Sequence, residues 1–332
     1  MDYISIGESD IQASRIGLGT WAIGGWMWGG TDEEDSIRTI HSALDRGINL
    51  IDTAPAYGFG HSEEIVGKAV KQYGKRDNVI IATKVAIDWN DNGPYRNGSK
   101  ERIFKEIDDS LRRLNTDYID LYQVHWPDPL VDIEETAEAM NKLYEEGKIR
   151  AAGVSNFSTE QMDAFRKAAP LHTDQPPYNL FEREIEKDIL PYCKQNNITT
   201  LLYGSLCRGM LSGKMSKERV FQGDDLRNTD PKFQEPCYSQ YLEAVDKLDN
   251  WARKHYGKRI IHLAIRWILD QPGAEIALWG ARRPDQLDPV DEAFGWALTR
   301  QDLKEIDRII NETVNNQAGP PDFMAPPTRE QI

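Results

Sequence analysis

From about Ser14 to about Glu292, short apolar runs ending near Gly, Asp or His alternate with amphipathic segments of helical period. This alternation restricts the fold more than any other feature of the chain. Runs at 15–19, 49–52, 79–84, 119–125, 151–155, 173–175, 200–203 and 275–279 read as strands. Helices are expected at 34–46, 63–73, 100–114, 133–146, 159–168, 185–195, 239–256 with 260–269, and 286–294. Strands this apolar suit a parallel sheet covered by helices, and such repeats close naturally into an α/β fold, the (β/α)8 TIM barrel. A doubly wound open sheet is the alternative. The barrel reading makes 1–332 a single domain. Residues 1–14 form a hairpin cap with Gly7 and Ser9 in its turn, and long loops gather on the C-terminal face. The polar stretches 88–99 and 206–236 read as loops, and the Pro-rich, aperiodic 311–332 as a tail.

Composition narrows the partners. With 40 Lys and Arg against 54 Asp and Glu, the net charge is −14, and the basic residues form no stripe, so nucleic acid is not an expected partner. No apolar run nears the roughly 20 residues that cross a bilayer. MDYISIGESD lacks the basic and apolar regions of a secretion signal, and a cytoplasmic location is expected. Cys193, Cys207 and Cys237 are scattered, the six histidines are dispersed, and no metal site is expected.

In a parallel barrel, chemistry gathers where the strands end. Asp52 ends the second strand, Lys84 the third and His125 the fourth, while Tyr57 sits in the Gly/Pro loop after Asp52. Singly, each has a structural explanation: a turn cap, a snorkelling lysine, a packed loop tyrosine, a hydrogen-bonded histidine. Together they make an acid. A phenol with a pKa near ~10 donates poorly at neutral pH, and a nearby ammonium lowers that value. Lys84 supplies the ammonium, Asp52 its counter-ion, and His125 a hydrogen bond to the substrate oxygen. Such a group protonates an oxygen on which negative charge develops, as in carbonyl reduction by an external hydride. No side chain supplies hydride, so a nicotinamide or flavin is required.

DTAPAYGFGHSEEIVG, the lysine of ATK, HWPD and GVSNF, in that order and spacing, resemble the aldo-keto reductase family. The likeness runs from GLGTW to ALWGARRPDQL, nearly the whole chain, and GTWAIGGWMWGG with FMAPP resembles the bacterial reductases of small aldehydes and sugar-derived carbonyls. It implies Tyr57 as general acid, Asp52 and Lys84 tuning it, and His125 orienting the carbonyl.

The resemblance also implies cofactor contacts. Thr20, Trp21 and Asp52 lie near the nicotinamide, Ser155, Asn156 and Gln175 meet its carboxamide, and Tyr203 stacks on its face. Backbone groups of Gly204, Ser205, Leu206 and Cys207 wrap the pyrophosphate, with positive charge from Arg208, Lys214 and Arg227. Gly280, Ala281, Arg282 and Gln286 grip the adenosine end. A guanidinium forks well onto a 2′-phosphate, so NADP(H) is favoured and NAD(H) is possible. Pro289 and Val290 replace the Glu-Asn pair that meets adenine in many relatives. The small carbonyl substrate is expected against Trp21, Trp126 and Trp89.

Rival readings are weaker. Gly17 to Ala22 formally match a dinucleotide fingerprint, but the glycine-rich IGGWMWGG that follows will not propagate a helix. A Schiff-base aldolase needs a neutral lysine, which Asp52 opposes. A slow NADP(H)-binding sensor would have less use for all four residues.

Overall fold

The structure, a computed structural model, describes residues 1–319 and 324–332. A hairpin of β1 (Tyr3–Ser5) and β2 (Gln12–Ser14) leads into β3 (Ile16–Gly19), α1 (Glu33–Asp45), β4 (Leu50–Asp52), α2 (His61–Tyr73) and β5 (Ile80–Val85). A second hairpin, β6 (Ile87–Asn90) and β7 (Gly93–Arg96), follows. Then come α3 (Lys100–Leu114), β8 (Leu121–Val124), α4 (Ile133–Glu145), β9 (Ala152–Ser155), α5 (Thr159–Arg166), β10 (Thr173–Gln175), α6 (Ile189–Gln195) and β11 (Thr199–Leu202). The chain ends through α7 (Cys237–Tyr256), α8 (Ile260–Leu269), β12 (Ile276–Gly280) and α9 (Arg300–Thr313). Strands β3, β4, β5, β8, β9, β10, β11 and β12 pair in that order and close into a parallel barrel. The open-sheet alternative is thereby set aside.

Alternation along each strand divides the core in two. Leu50, Ile80, Ala82, Leu121, Ala151, Leu201, Ile276 and Leu278 fill the barrel, joined by Ile6, Ile11 and Ala13 from the hairpin. The residues between them, such as Ile51, Ile81, Tyr122, Val154, Leu202 and Trp279, face the helices. The hairpin thus plugs the N-terminal end, and its turn needs Gly7: φ is +51° there, and a Cβ would stand 2.8 Å from the His172 carbonyl oxygen. Helices begin where the sequence caps them. The Ser99 hydroxyl accepts from Arg102 N at the start of α3, and Ser158 and Gln161 form a reciprocal capping box on α5.

Several segments differ from the sequence reading. Residues 88–99 were expected as loop, yet most of them lie in the β6–β7 hairpin. The expected helix at 286–294 is two short 3-10 turns, Pro284–Leu287 and Val290–Ala293, because Pro289 cannot donate a helical hydrogen bond. Helix α9 lies past the expected end of the alternation and runs into the expected tail, started by a capping box of Thr299 and Asp302. Residues 206–236 form the expected long loop, folded into 3-10 turns at Cys207–Ser212, Leu226–Asn228 and Pro231–Phe233. The far end of the tail returns to the C-terminal face: Arg96 N donates to Pro327 O at 2.9 Å, and Arg96 Nε to Pro326 O at 2.6 Å. Phe323 of the FMAPP run lies outside the described residues. No described helix is long and apolar enough to cross a membrane.

Candidate active site

Adjacent strands β4 and β5 deliver Asp52 and Lys84 to the same level of the barrel mouth. Lys84 Nζ donates to Asp52 Oδ1 at 2.9 Å, to Asp52 Oδ2 at 2.7 Å and to Thr53 O at 3.0 Å. Its remaining contact is Tyr57 Oη, at 3.2 Å. An ammonium can only donate, so the phenolic oxygen accepts from Lys84 and its own proton is free for another acceptor. Both ions are buried, Lys84 to 0% exposure and Asp52 to 2%. Their pairing answers the cost of burying either alone.

Tyr57 is carried by a tight turn. Its carbonyl accepts from Ser62 N at 3.1 Å, and Gly60 N donates to Pro55 O at 2.6 Å. Gly58 is required there: φ is +69°, and a Cβ would stand 2.2 Å from the Gly24 carbonyl oxygen. The Tyr57 ring stacks on Trp21, with centroids 6.0 Å apart, and meets the His125 ring edge-on at 5.9 Å. His125 follows β8 directly and is pinned by its N–H to Val85 O at 2.9 Å.

The electrostatics correct one expectation. Lys84 was expected to bring the Tyr57 pKa down, but burial, reinforced by the Asp52 carboxylate, pushes it well above its ordinary value. The ammonium lies closer to Asp52, at 2.7 Å, than to the phenol, at 3.2 Å, and burial of the phenol prevails. Burial holds the Lys84 pKa below its ordinary value, with Asp52 opposing. Burial and then the Lys84 charge hold His125 well below the usual histidine value. At neutral pH the site therefore presents a protonated phenol and a neutral imidazole.

The residues expected around the carboxamide converge beside this group. Gln175 Nε2 donates to Asp52 Oδ1 at 2.8 Å, and Ser155 Oγ donates to Gln175 O at 2.7 Å. Asn156, at φ +61°, donates to His125 O at 3.1 Å and accepts from Tyr203 Oη at 2.9 Å. The sequence reading passed over Gln123, whose Nε2 lies 3.4 Å from Asp52 Oδ1 and whose Oε1 accepts from Gln175 Nε2 at 3.3 Å. A glutamine amid the apolar strand LYQV was the available signal. With Asp52 and Gln123 both accepting from Gln175 Nε2, the Gln175 Oε1 is left as an acceptor. That suits the NH2 of a carboxamide. Thr20 is fully buried, its hydroxyl donating to Asp52 O at 2.9 Å, so it secures the loop.

The expected phosphate side divides into spent and unspent cations. Arg208 is paired with Asp230 and, at 3.1 Å, with Glu182, to which Lys232 also bonds at 2.9 Å. Arg227 pairs with Asp225 and lies over the rings of Phe221 and Trp28, at 4.3 and 5.2 Å. Neither charge stands uncompensated. Lys214 is exposed on the loop, beyond Gly204, Ser205, Leu206 and Cys207, and Gly204 adopts φ +68°. After Gly280 and Ala281, Arg282 Nη1 donates to the carbonyls of Trp28 and Gly30, each at 2.8 Å. The Gln286 side chain accepts from Arg282 N and Arg283 N, at 2.9 and 3.1 Å, and so shapes this turn. No carboxylate pairs with Arg282 among the described residues. Burial, followed by the neighbouring Arg227 and Arg283, holds its pKa down. A guanidinium crowded by like charges is a receptor for an anion.

Two straps border the mouth. Asp224 accepts from Met27 N at 2.8 Å and Gly29 N at 3.0 Å, while Leu226 N donates to Met27 O at 2.9 Å. The loop after β11 is thereby joined to the loop after β3. On the other side Arg329 bonds to Asn97 at 3.1 Å and Asp128 at 3.3 Å, which holds the tail against β7. Trp126 lies beneath the Arg96 guanidinium at 5.6 Å, and Trp89 packs on Phe59 at 5.6 Å and near Arg102 at 5.3 Å.

The sequence model of the Aldo/keto reductase family matches residues 15–311. The chain is 67% identical over 332 residues to aldo-keto reductase YhdN of Bacillus subtilis, covering 100% of both. It is 38% identical over 304 residues to the NADH-specific methylglyoxal reductase of Escherichia coli, covering 86% of this chain and 91% of that one. The structure of a glycerol dehydrogenase from Gluconobacter oxydans superposes with a TM-score of 0.88 at 53% identity, covering 96% of this chain and 98% of that one. An aldo/keto reductase from Klebsiella pneumoniae in complex with NADP and acetate gives a TM-score of 0.73 at 29% identity, with coverages of 96% and 98%.

Proposed function

The chain belongs to the aldo/keto reductase family and is an NAD(P)H-dependent oxidoreductase, and we propose that it reduces small aldehydes and ketones with Tyr57 as proton donor and NADPH as preferred cofactor. The observation that carries this reading is the bond of 3.2 Å from Lys84 Nζ to Tyr57 Oη. It leaves the phenolic hydrogen for the substrate oxygen and sets a positive charge beside the phenolate that forms once that hydrogen has gone.

The nicotinamide, when bound, supplies the hydride. Gln175 offers an acceptor to its carboxamide, with Asn156 and Ser155 alongside, and Tyr203 stands next to Asn156. Neutral His125 donates to the carbonyl oxygen and aims it at Tyr57. As the oxygen gains charge, Tyr57 releases its proton and Lys84 stabilises the phenolate. Trp21, Trp89 and Trp126 wall the mouth, exclude water and select the substrate. The uncompensated guanidinium of Arg282 favours a 2′-phosphate, and so NADPH over NADH. Two relatives named for glycerol and for methylglyoxal support a small polar substrate.

Replacing Tyr57 by Phe removes one oxygen and keeps the ring on Trp21. Carbonyl reduction should fall about a hundredfold or more while NADPH still binds. Turnover at the parent rate would remove Tyr57 from this role.

A further inference from the structure

The separation of Lys84 from Tyr57 depends on two pieces of backbone, strand β5 and the turn entering α2. Thr83 and Lys84 are consecutive on β5, so one side chain enters the barrel and the other faces the helices. Lys84 reaches Asp52, whereas the Thr83 hydroxyl donates to Glu63 Oε1 at 2.6 Å. Glu63 lies in the first turn of α2, immediately after Ser62, whose N–H bonds to the Tyr57 carbonyl at 3.1 Å. A short bonded path therefore runs outside the barrel from Tyr57 through Ser62, Glu63 and Thr83 to Lys84. Inside the barrel, the contact it frames is the 3.2 Å bond from Lys84 to Tyr57.

Glu63 is itself held. Its Oε2 accepts from Arg113 Nε at 2.6 Å, and Arg113 pairs with Glu106, which pairs with Arg102, which bonds to Asp88 on β6 at 2.9 Å. Both Glu63 and Glu106 are buried, at 0% and 1% exposure. A buried ion chain is weak evidence for stability, because apolar packing of similar volume often serves as well. Its geometric result is definite: α2, α3, β5 and β6 are locked in one register. β5 carries Lys84, β6 carries Trp89, and the first turn of α2 holds the carbonyl of Tyr57 through Ser62.

We propose that Glu63 is a positioning residue for the proton-donating centre, setting the distance between Lys84 Nζ and Tyr57 Oη by tying β5 to the entry of α2. The proposal rests on Tyr57 being the acid. Small displacements at a reacting centre cost rate out of proportion to their size. Thr83→Val keeps the side-chain shape and removes the donor to Glu63, while Thr83→Ser keeps the donor.

The test measures kcat, the Michaelis constant for NADPH, NADPH binding by tryptophan fluorescence, and melting temperature for Thr83→Val, Thr83→Ser, Glu63→Gln and Tyr57→Phe. Thr83→Val should lose about ten- to a hundredfold in kcat with NADPH binding unchanged. Thr83→Ser should recover most of that loss, and Glu63→Gln should fall in the same direction as Thr83→Val. Normal kcat in Thr83→Val, or equal losses in the Val and Ser variants, overturns the proposal. If Tyr57→Phe keeps its turnover, the acid reading fails and the proposal with it. If Tyr57→Phe is inactive and Thr83→Val is not, the proposal alone fails.

Discussion

The carboxylate of Asp224 holds the backbone of Met27, accepting its N–H at 2.8 Å and that of Gly29 at 3.0 Å. The loops after the first and seventh barrel strands are stitched by one side chain. Gly29 is needed at the seam, because φ is +71° and a Cβ would lie 2.9 Å from the Gln222 carbonyl oxygen. Asp224→Ala deletes both bonds and leaves the hydrogen bond from Leu226 to Met27. Release of NADP should accelerate about three- to tenfold, as expected for the loss of charge-assisted hydrogen bonds at an exposed site. Stopped-flow fluorescence checks this, and an unchanged release rate contradicts a strap over the cofactor.

Arg282→Met should raise the NADPH Michaelis constant about tenfold or more and the NADH constant less, since a 2′-phosphate loses a guanidinium and a bare ribose does not. Because Arg282 also bonds Trp28 and Gly30, a smaller shared loss is expected with both cofactors. Steady-state kinetics with each nucleotide separates the two contributions, and equal losses would exclude a phosphate contact.

The pH profile of reduction follows from the directions of the shifts. His125 stays neutral well below pH 6.5, so kcat should show no inflection at the usual histidine value. On the alkaline side Tyr57 keeps its proton past 10.0, whereas Lys84 loses its proton below 10.5. The alkaline limb therefore belongs to Lys84. Lys84→Arg should move that limb upward even as it lowers the rate, and a limb that stays in place would assign it to another group.

His262, buried at the start of α8, has its pKa held down to about 4 by desolvation. Unfolded, it takes a proton near 6.5, so between those values the unfolded chain binds more protons and stability falls as pH falls. The melting temperature should decline from pH 6.5 toward pH 4, and His262→Asn should flatten part of that slope. A slope identical to the parent's would show that the acid loss arises elsewhere.

Arg96 and Asp128 hold the end of the chain, through Pro326, Pro327 and Arg329. Arg96→Ala removes the side-chain bond to Pro326 while the backbone bond to Pro327 stays, and should make residues 324–332 more sensitive to limited proteolysis. It should also alter the Michaelis constant for carbonyl substrates more than that for NADPH. Mass spectrometry of the digest and steady-state kinetics read the two effects.

Much of this was legible in the sequence, for a physical reason. A strand buried on both faces must be apolar, so Asp52, Lys84 and His125 stand out at the ends of such runs, and a barrel sends all strand ends to one face. What stayed hidden depends on partners distant in the chain. Nothing next to Arg208 shows that Glu182 and Asp230 will take its charge, and nothing near Glu63 points to Thr83 and Arg113. The β6–β7 hairpin was obscured because its residues are only partly buried and carry no clean alternation of polarity. Helix α9 was missed because the turns after β12 interrupt the helical period before it begins.

Ile6, Ile11 and Ala13 stopper the barrel from below, so a ligand can reach Asp52, Tyr57 and Lys84 only from the face where the strands end. On the proposed function, a nicotinamide against Gln175 would lie beneath a carbonyl beside Tyr57, so nucleotide-first binding is the expected order. The two ends of the chain thus bracket the barrel, a plug beneath it and a clasped ribbon beside its mouth.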